Sequence, residues 1–141
     1  MAKHTGSCQC GDIRYEIGAD PLFGGLCSCL DCQKASGAGH ATIMAFPRAA
    51  LTVSGETTKY TSKGGSGGDV TREFCPRCGS RLFSQSGRMG PLLMVTAASL
   101  DDQSIVKPTA AIFQRSRPHW DHVDPLLPAF QETPPTPPPG V

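Results

Sequence analysis

Residues 75–79 read Cys75-Pro76-Arg77-Cys78-Gly79, and the fold turns on what this stretch can build. Proline holds the turn between the two cysteines, and the glycine after them is free to take the left-handed conformation. The result is a tight knuckle whose backbone N–H groups can point at the sulfurs. A knuckle supplies two thiolates, whereas a structural tetrahedral Zn²⁺ takes four. Cys8-Gln9-Cys10-Gly11 offers the other two, because residues i and i+2 of an extended segment point to the same side. Cys8, Cys10, Cys75 and Cys78 are therefore expected to form one closed zinc site. That site would clip the long intervening chain into a loop, so that metal binding becomes folding energy.

The chain has seven cysteines, an odd number that a fully paired disulfide framework would not use up. Four plus three ligands uses them all. No apolar stretch follows Met1-Ala2-Lys3-His4-Thr5-Gly6-Ser7, and no run is long enough to cross a bilayer, so a soluble, cytoplasmic protein is expected. Thiols stay reduced in that compartment and more often bind metal than pair as disulfides.

The remaining cluster is Cys27-Ser28-Cys29-Leu30-Asp31-Cys32, with no fourth cysteine to complete it. Three protein ligands leave an open position, the arrangement of catalytic rather than structural zinc. The alternative is a second structural ion completed by Asp31, a histidine or water. Iron is chemically admissible too, since thiolate sites select weakly between the two metals. The expected complement is two zinc ions per chain, with Cys27, Cys29 and Cys32 as the catalytic group. Three thiolates on Zn²⁺ carry a net charge of −1, which makes the metal a poor activator of water and keeps a bound thiolate nucleophilic. Chemistry at sulfur is what such a site suits. Lys34, Arg77 and the Ser36 hydroxyl lie close in sequence to the ligands and are the candidates for offsetting the charge or holding a substrate carboxylate. The histidines His4, His40, His119 and His122 are not in metal-ligand spacing, and surface or structural roles are expected of them.

Around these clusters the chain reads as many short strands. Ile13, Tyr15 and Ile17 alternate with Asp12, Arg14 and Glu16, and Val70, Arg72 and Phe74 alternate with Thr71 and Glu73, the period of a half-buried strand. Residues 41–46, 57–61, 81–84, 92–97 and 110–114 are further strand candidates bounded by turn residues. The one helical candidate is a turn or two at residues 31–36. An all-β fold follows. A length of 141 residues fits one domain, and with 38% hydrophobic and 6% aromatic residues its core needs support from bound metal. Residues 1–130 are read as the zinc-binding domain and 131–141 as a Pro-rich, disordered, polyproline-like tail. The run Gly64-Gly65-Ser66-Gly67-Gly68 is expected to be a mobile loop, and Trp120 a packing anchor for the C-terminal segment. A net charge of +1 with no basic run gives no footprint for nucleic acid.

Three motifs taken together resemble a known family: residues 6–11, Gly6-Ser7-Cys8-Gln9-Cys10-Gly11; residues 27–37, from Cys27-Ser28-Cys29 to Ser36-Gly37; and residues 74–80, Phe74-Cys75-Pro76-Arg77-Cys78-Gly79-Ser80. They look like the glutathione-dependent formaldehyde-activating enzymes, a family shared with centromere protein V. Ser99-Leu100-Asp101-Asp102 and Pro118-His119-Trp120 resemble its closing motifs, so the likeness spans about residues 5 to 130. The resemblance implies an Mss4-like β-tent, zinc at Cys8, Cys10, Cys75 and Cys78, and a second zinc at Cys27, Cys29 and Cys32. It also implies condensation of glutathione with formaldehyde to S-hydroxymethylglutathione, a carbon–sulfur lyase reaction run in reverse. Ser28 departs from the pattern, since relatives commonly carry histidine there. Two functions are carried forward: a zinc carbon–sulfur lyase acting on a small thiol and an aldehyde, and a non-catalytic, zinc-stabilised module that binds another protein.

Overall fold

Strand propensity, pairing partners and two facing turns organise the chain in a computed structural model that describes residues 2–136. Three strands form a small antiparallel sheet in the order β1 (His4–Ser7), β2 (Arg14–Ile17), β5 (Leu51–Ser54). Seven form the larger sheet, in the order β10 (Ala110–Ile112), β3 (Phe23–Cys27), β4 (Ala41–Pro47), β9 (Leu92–Thr96), β8 (Arg81–Ser86), β7 (Asp69–Phe74), β6 (Thr58–Lys63). Every pair is antiparallel except β10 with β3. The one α-helix among the described residues, α1, is Leu30–Ser36. The fold is the expected all-β, Mss4-like one.

The expected alternation is visible in β2 and the turn before it, where Ile13, Tyr15 and Ile17 are 2% exposed or less. They pack with Phe46, Leu82, Phe83 and Val95 of the large sheet, so the core lies between the two sheets. Tyr15 meets Phe83 edge-on, with ring centroids 5.0 Å apart.

Three strands escaped the sequence reading: β1, β3 and β5. β3 reads Phe-Gly-Gly-Leu-Cys, and its two glycines argue against a strand. It is one because β4 pairs along its whole length and Gly24 lets Met44 and the Lys107 carbonyl approach where a Cβ would stand. The segment 64–68 is the β6–β7 hairpin turn, closed by Gly64 N–H to Gly68 O at 2.7 Å. Trp120 is not the anchor expected of it, since it is 59% exposed. The C-terminal segment is held instead by its backbone. Ala111 N–H donates to Pro128 O, Phe130 N–H to Ala111 O, and Phe113 N–H to Glu132 O. The expected tail begins among residues so held and ends in residues 137–141, which lie outside the described residues.

The large sheet is strongly curled. From β3 to β7 is four strand steps, about 19 Å across a flat sheet at the usual spacing. Yet Arg72 of β7 and Cys32, beyond β3, line one cavity, and Arg72 acts electrostatically on Cys29 and Cys32. Beyond the far ends of the sheet, the Phe113 ring after β10 lies against Gly65 of the β6–β7 turn. Right-handed twist accumulated over several strands is what lets the two ends converge.

Candidate metal centres and the cavity between them

Two hairpin turns face each other to make the first centre. Cys8 and Cys10 lie in the β1–β2 turn, and Cys75 and Cys78 in the β7–β8 turn. All four sulfurs lie within 4.8 Å of one another. The Cys8–Cys10 and Cys10–Cys75 sulfur separations are 3.6 and 3.7 Å. Four sulfurs arranged tetrahedrally about 2.3 Å from one ion are about 3.8 Å apart, so these residues fit a metal ion. The knuckle geometry is as expected. Gly79 sits at φ 76°, its N–H donates to Cys75 O, and the N–H groups of Arg77 and Cys78 point at Cys75 Sγ at 3.4 and 3.5 Å. Ile13 N–H does the same for Cys8 Sγ at 3.3 Å, and Gln9 N–H bonds Ser80 Oγ across the two turns at 3.0 Å. Hydrogen bonds from the Ser80 hydroxyl and the Cys10 amide pull the Cys78 thiol down to about 5, toward the thiolate that a metal needs.

The second centre is assembled at the β3–α1 junction. Cys27 ends β3, and Cys29 caps the N-terminus of α1, its sulfur accepting from Cys32 N–H at 3.3 Å. The sulfurs of Cys27, Cys29 and Cys32 lie within 4.8 Å of one another. Among the described residues no histidine or carboxylate completes the group, Asp31 included. Three thiols this close cannot all ionise unaided. Hydrogen bonds from Cys27 and Cys32 hold the Cys29 thiol far below its ordinary value, while Cys29, Cys32 and burial push the Cys27 thiol far up. Ser28 is fully buried. Its hydroxyl accepts from Gln114 Nε2 at 3.0 Å, and Gln33 Nε2 bonds both Ser28 O and Ser116 O, so the loop carrying the sulfurs is tied on both sides.

Between the two centres lies a cavity of about 840 Å³ whose wall includes Cys8 of one and Cys32 of the other. Its polar lining comprises Ser36, His40, Arg72, Arg81 and Asp101, among others. Of Lys34, Arg77 and Ser36, the sequence candidates for offsetting the charge or holding a carboxylate, only Ser36 reaches it. Lys34 is exposed on α1, and Arg77 pairs with Asp12 at 3.2 Å on the outside of the four-cysteine centre. The sequence reading missed Arg72 and Arg81 and expected only a surface or structural role of His40. His40 Nδ1 lies 2.7 Å from Asp121 Oδ2, with Asp121 14% exposed at its side chain. Gly39 makes that contact possible, because a Cβ there would stand on the Asp121 carboxylate. Only Arg72 had left a signal in the sequence: it is the one charged residue on the otherwise apolar side of the 70–74 alternation.

The profile of the glutathione-dependent formaldehyde-activating enzyme family matches residues 3–116, most of the chain and both cysteine groups. The chain belongs to that family. A crystal structure of a Rhodobacter sphaeroides protein, solved as a structural-genomics target, is similar to this fold at TM-score 0.56 and 22% identity. It covers 69% of this chain and 87% of its own. A comparison with curated proteins finds no match. Among the described residues of this member of the family, no helix is long and apolar enough to cross a membrane.

Proposed function

We propose that this member of the family is a zinc-dependent carbon–sulfur lyase-like enzyme that joins a glutathione-class thiol to formaldehyde or another small aldehyde. Cys8, Cys10, Cys75 and Cys78 would hold a structural zinc, and Cys27, Cys29 and Cys32 a second one. The observation that carries the reading is the three-sulfur centre, with no fourth protein ligand among the described residues and with Cys32 in the wall of a cavity roomy enough for a tripeptide and an aldehyde. When bound there, zinc supplies a coordination position whose anionic ligand set keeps a thiolate nucleophilic.

The chain's own residues account for the remainder of the reaction. A carbon–sulfur bond forms as the aldehyde C=O π bond breaks, and the proton lost by the thiol ends on the new hydroxyl oxygen. His40 is the group suited to move that proton. It lines the cavity, and its bond to Asp121 fixes the ring and leaves Nε2 for the substrate. The Gln33 and Gln114 bonds to the Ser28 segment keep the three sulfurs in register with the cavity.

Thiols add to formaldehyde unaided, so the test must compare rates against the free reaction. Exchange between glutathione and its hydroxymethyl adduct can be followed by NMR, with zinc counted on the same samples. Wild type is expected to carry two zinc ions and accelerate exchange, and Cys32→Ser to keep its fold, lose one zinc and return to the free rate. A folded Cys32→Ser protein with undiminished acceleration refutes the mechanism. Two zinc ions in a wild type with no acceleration would favour the non-catalytic, protein-binding module.

A further inference from the structure

We propose that Arg72 and Arg81 form a carboxylate subsite in the wall of the cavity, one that recognises the thiol substrate by an acidic group remote from its sulfur. The inference deepens the thiol-handling reading and rests on it for the identity of the ligand.

The two arginines are brought together by an irregularity in the sheet. In the β7–β8 ladder Arg72 opposes Ser84 and Glu73 opposes Phe83, but Phe74 opposes Arg81, so Leu82 is an extra residue on β8. Strict alternation would set Arg81 on the face of Phe83. The bulge shifts the phase by one residue and turns Arg81 to the face that Arg72 and Phe74 share, which is what bulges beside functional sites do. Arg81 then stacks its guanidinium over the Phe74 ring, 5.2 Å from the centroid, which holds the long side chain in one pose.

Neither arginine has a carboxylate partner among the described residues. Arg81 Nη1 is buried without any hydrogen-bond partner. Leaving such a donor unmatched is costly, and the like charge of Arg72 nearby adds to the cost. Burial and the neighbouring Arg72 weaken the hold of Arg81 on its proton by more than Cys32 strengthens it. Asp101, also in the cavity wall, does not serve. Its carboxylate accepts from the Thr5 hydroxyl at 2.6 Å and acts on Tyr15. Both arginines share the cavity wall with Cys32, so a ligand whose sulfur lies at the three-cysteine centre can lay a carboxylate across the pair. Arginine suits that task because its planar donors match carboxylate oxygens in pairs.

The test is a set of calorimetric titrations into zinc-replete wild type, Arg81→Met and Arg72→Gln. The probes are glutathione, 2-mercaptoethanol, which has no carboxylate, and S-methylglutathione, which keeps the carboxylates but offers no thiol. Each substitution is expected to weaken glutathione and S-methylglutathione about tenfold or more, the usual loss of a charge-assisted bond, and to leave 2-mercaptoethanol unchanged. Neither should lower the melting temperature of the ligand-free protein, since each relieves a like-charge pair. Undiminished S-methylglutathione binding in both variants overturns the subsite, as does equal loss for all three probes. A wild type that binds S-methylglutathione no more weakly than glutathione counts against a sulfur–metal contact, while loss of that binding in the variants still upholds the subsite. The two ideas therefore fail separately.

Discussion

Replacing Tyr15 by phenylalanine should destabilise the protein at neutral pH and stabilise it, relative to wild type, in strong alkali. Tyr15 is 2% exposed and lies opposite Gly6 in the β1–β2 pair. Its hydroxyl is 2.6 Å from Ser99 Oγ, and Ser99 Oγ in turn donates to Thr96 O at 2.8 Å. Ser99 has one proton to give and gives it to Thr96, so Tyr15 is the donor to Ser99. Removing the hydroxyl costs one buried hydrogen bond but leaves Ser99 with its own acceptor, a loss of about 1 kcal/mol.

The alkaline limb has the opposite sign. Burial, against the milder effect of the Ser99 bond, pushes the Tyr15 phenol from 10.0 up to about 12. Between those pH values the unfolded chain gives up the phenolic proton while the folded chain keeps it. The native state then binds more protons, and stability falls as pH rises. The contribution is complete below the unfolded value and is lost by the folded one. Two pH units correspond to about 3 kcal/mol. Phenylalanine cannot ionise, so the variant escapes this loss, and the two stability curves should cross at roughly pH 11. Urea unfolding of both zinc-replete proteins across the alkaline range measures the difference, in which lysines and other groups common to both cancel. A difference that stays constant with pH would refute the assignment of a buried, donating, neutral Tyr15.

Two further outcomes follow from the geometry of the centres. Cys78→Ser removes one sulfur from the group that joins the β1–β2 and β7–β8 turns; zinc content should drop by one per chain and the cooperative thermal transition seen by circular dichroism should be lost. Apparent structural-zinc binding energies of about 10–16 kcal/mol match or exceed the whole stability of a typical domain. Gly39→Ala should force the Asp121 carboxylate away from His40 while leaving the metal ligands alone; the catalysed exchange rate should fall at least about tenfold, with the glutathione Kd unchanged.

The division of seven sulfurs into a group of four and a group of three was legible along the chain, because short-range geometry governs it. Two cysteines in a turn or at i and i+2 meet whatever the remainder of the protein does, and the number of sulfurs a metal needs says which turns must join. The all-β class was legible for a similar reason, since side-chain alternation in segments such as 12–17 and 70–74 records which face is wet. β3 was not legible, because its glycines carry no strand preference and it exists through its neighbours. Lys34 and Arg77 are near the cysteines in sequence and point elsewhere, while Arg72 and Arg81 belong to strands that a flat sheet would hold far from Cys32. The cavity, the bulge that turns Arg81 toward it and the meeting of His40 with Asp121 depend on sheet curl and on contacts between residues up to 81 positions apart. Local spacing along the chain determined which sulfurs would cluster. Only the accumulated twist of the seven-stranded sheet decided which charges would face them.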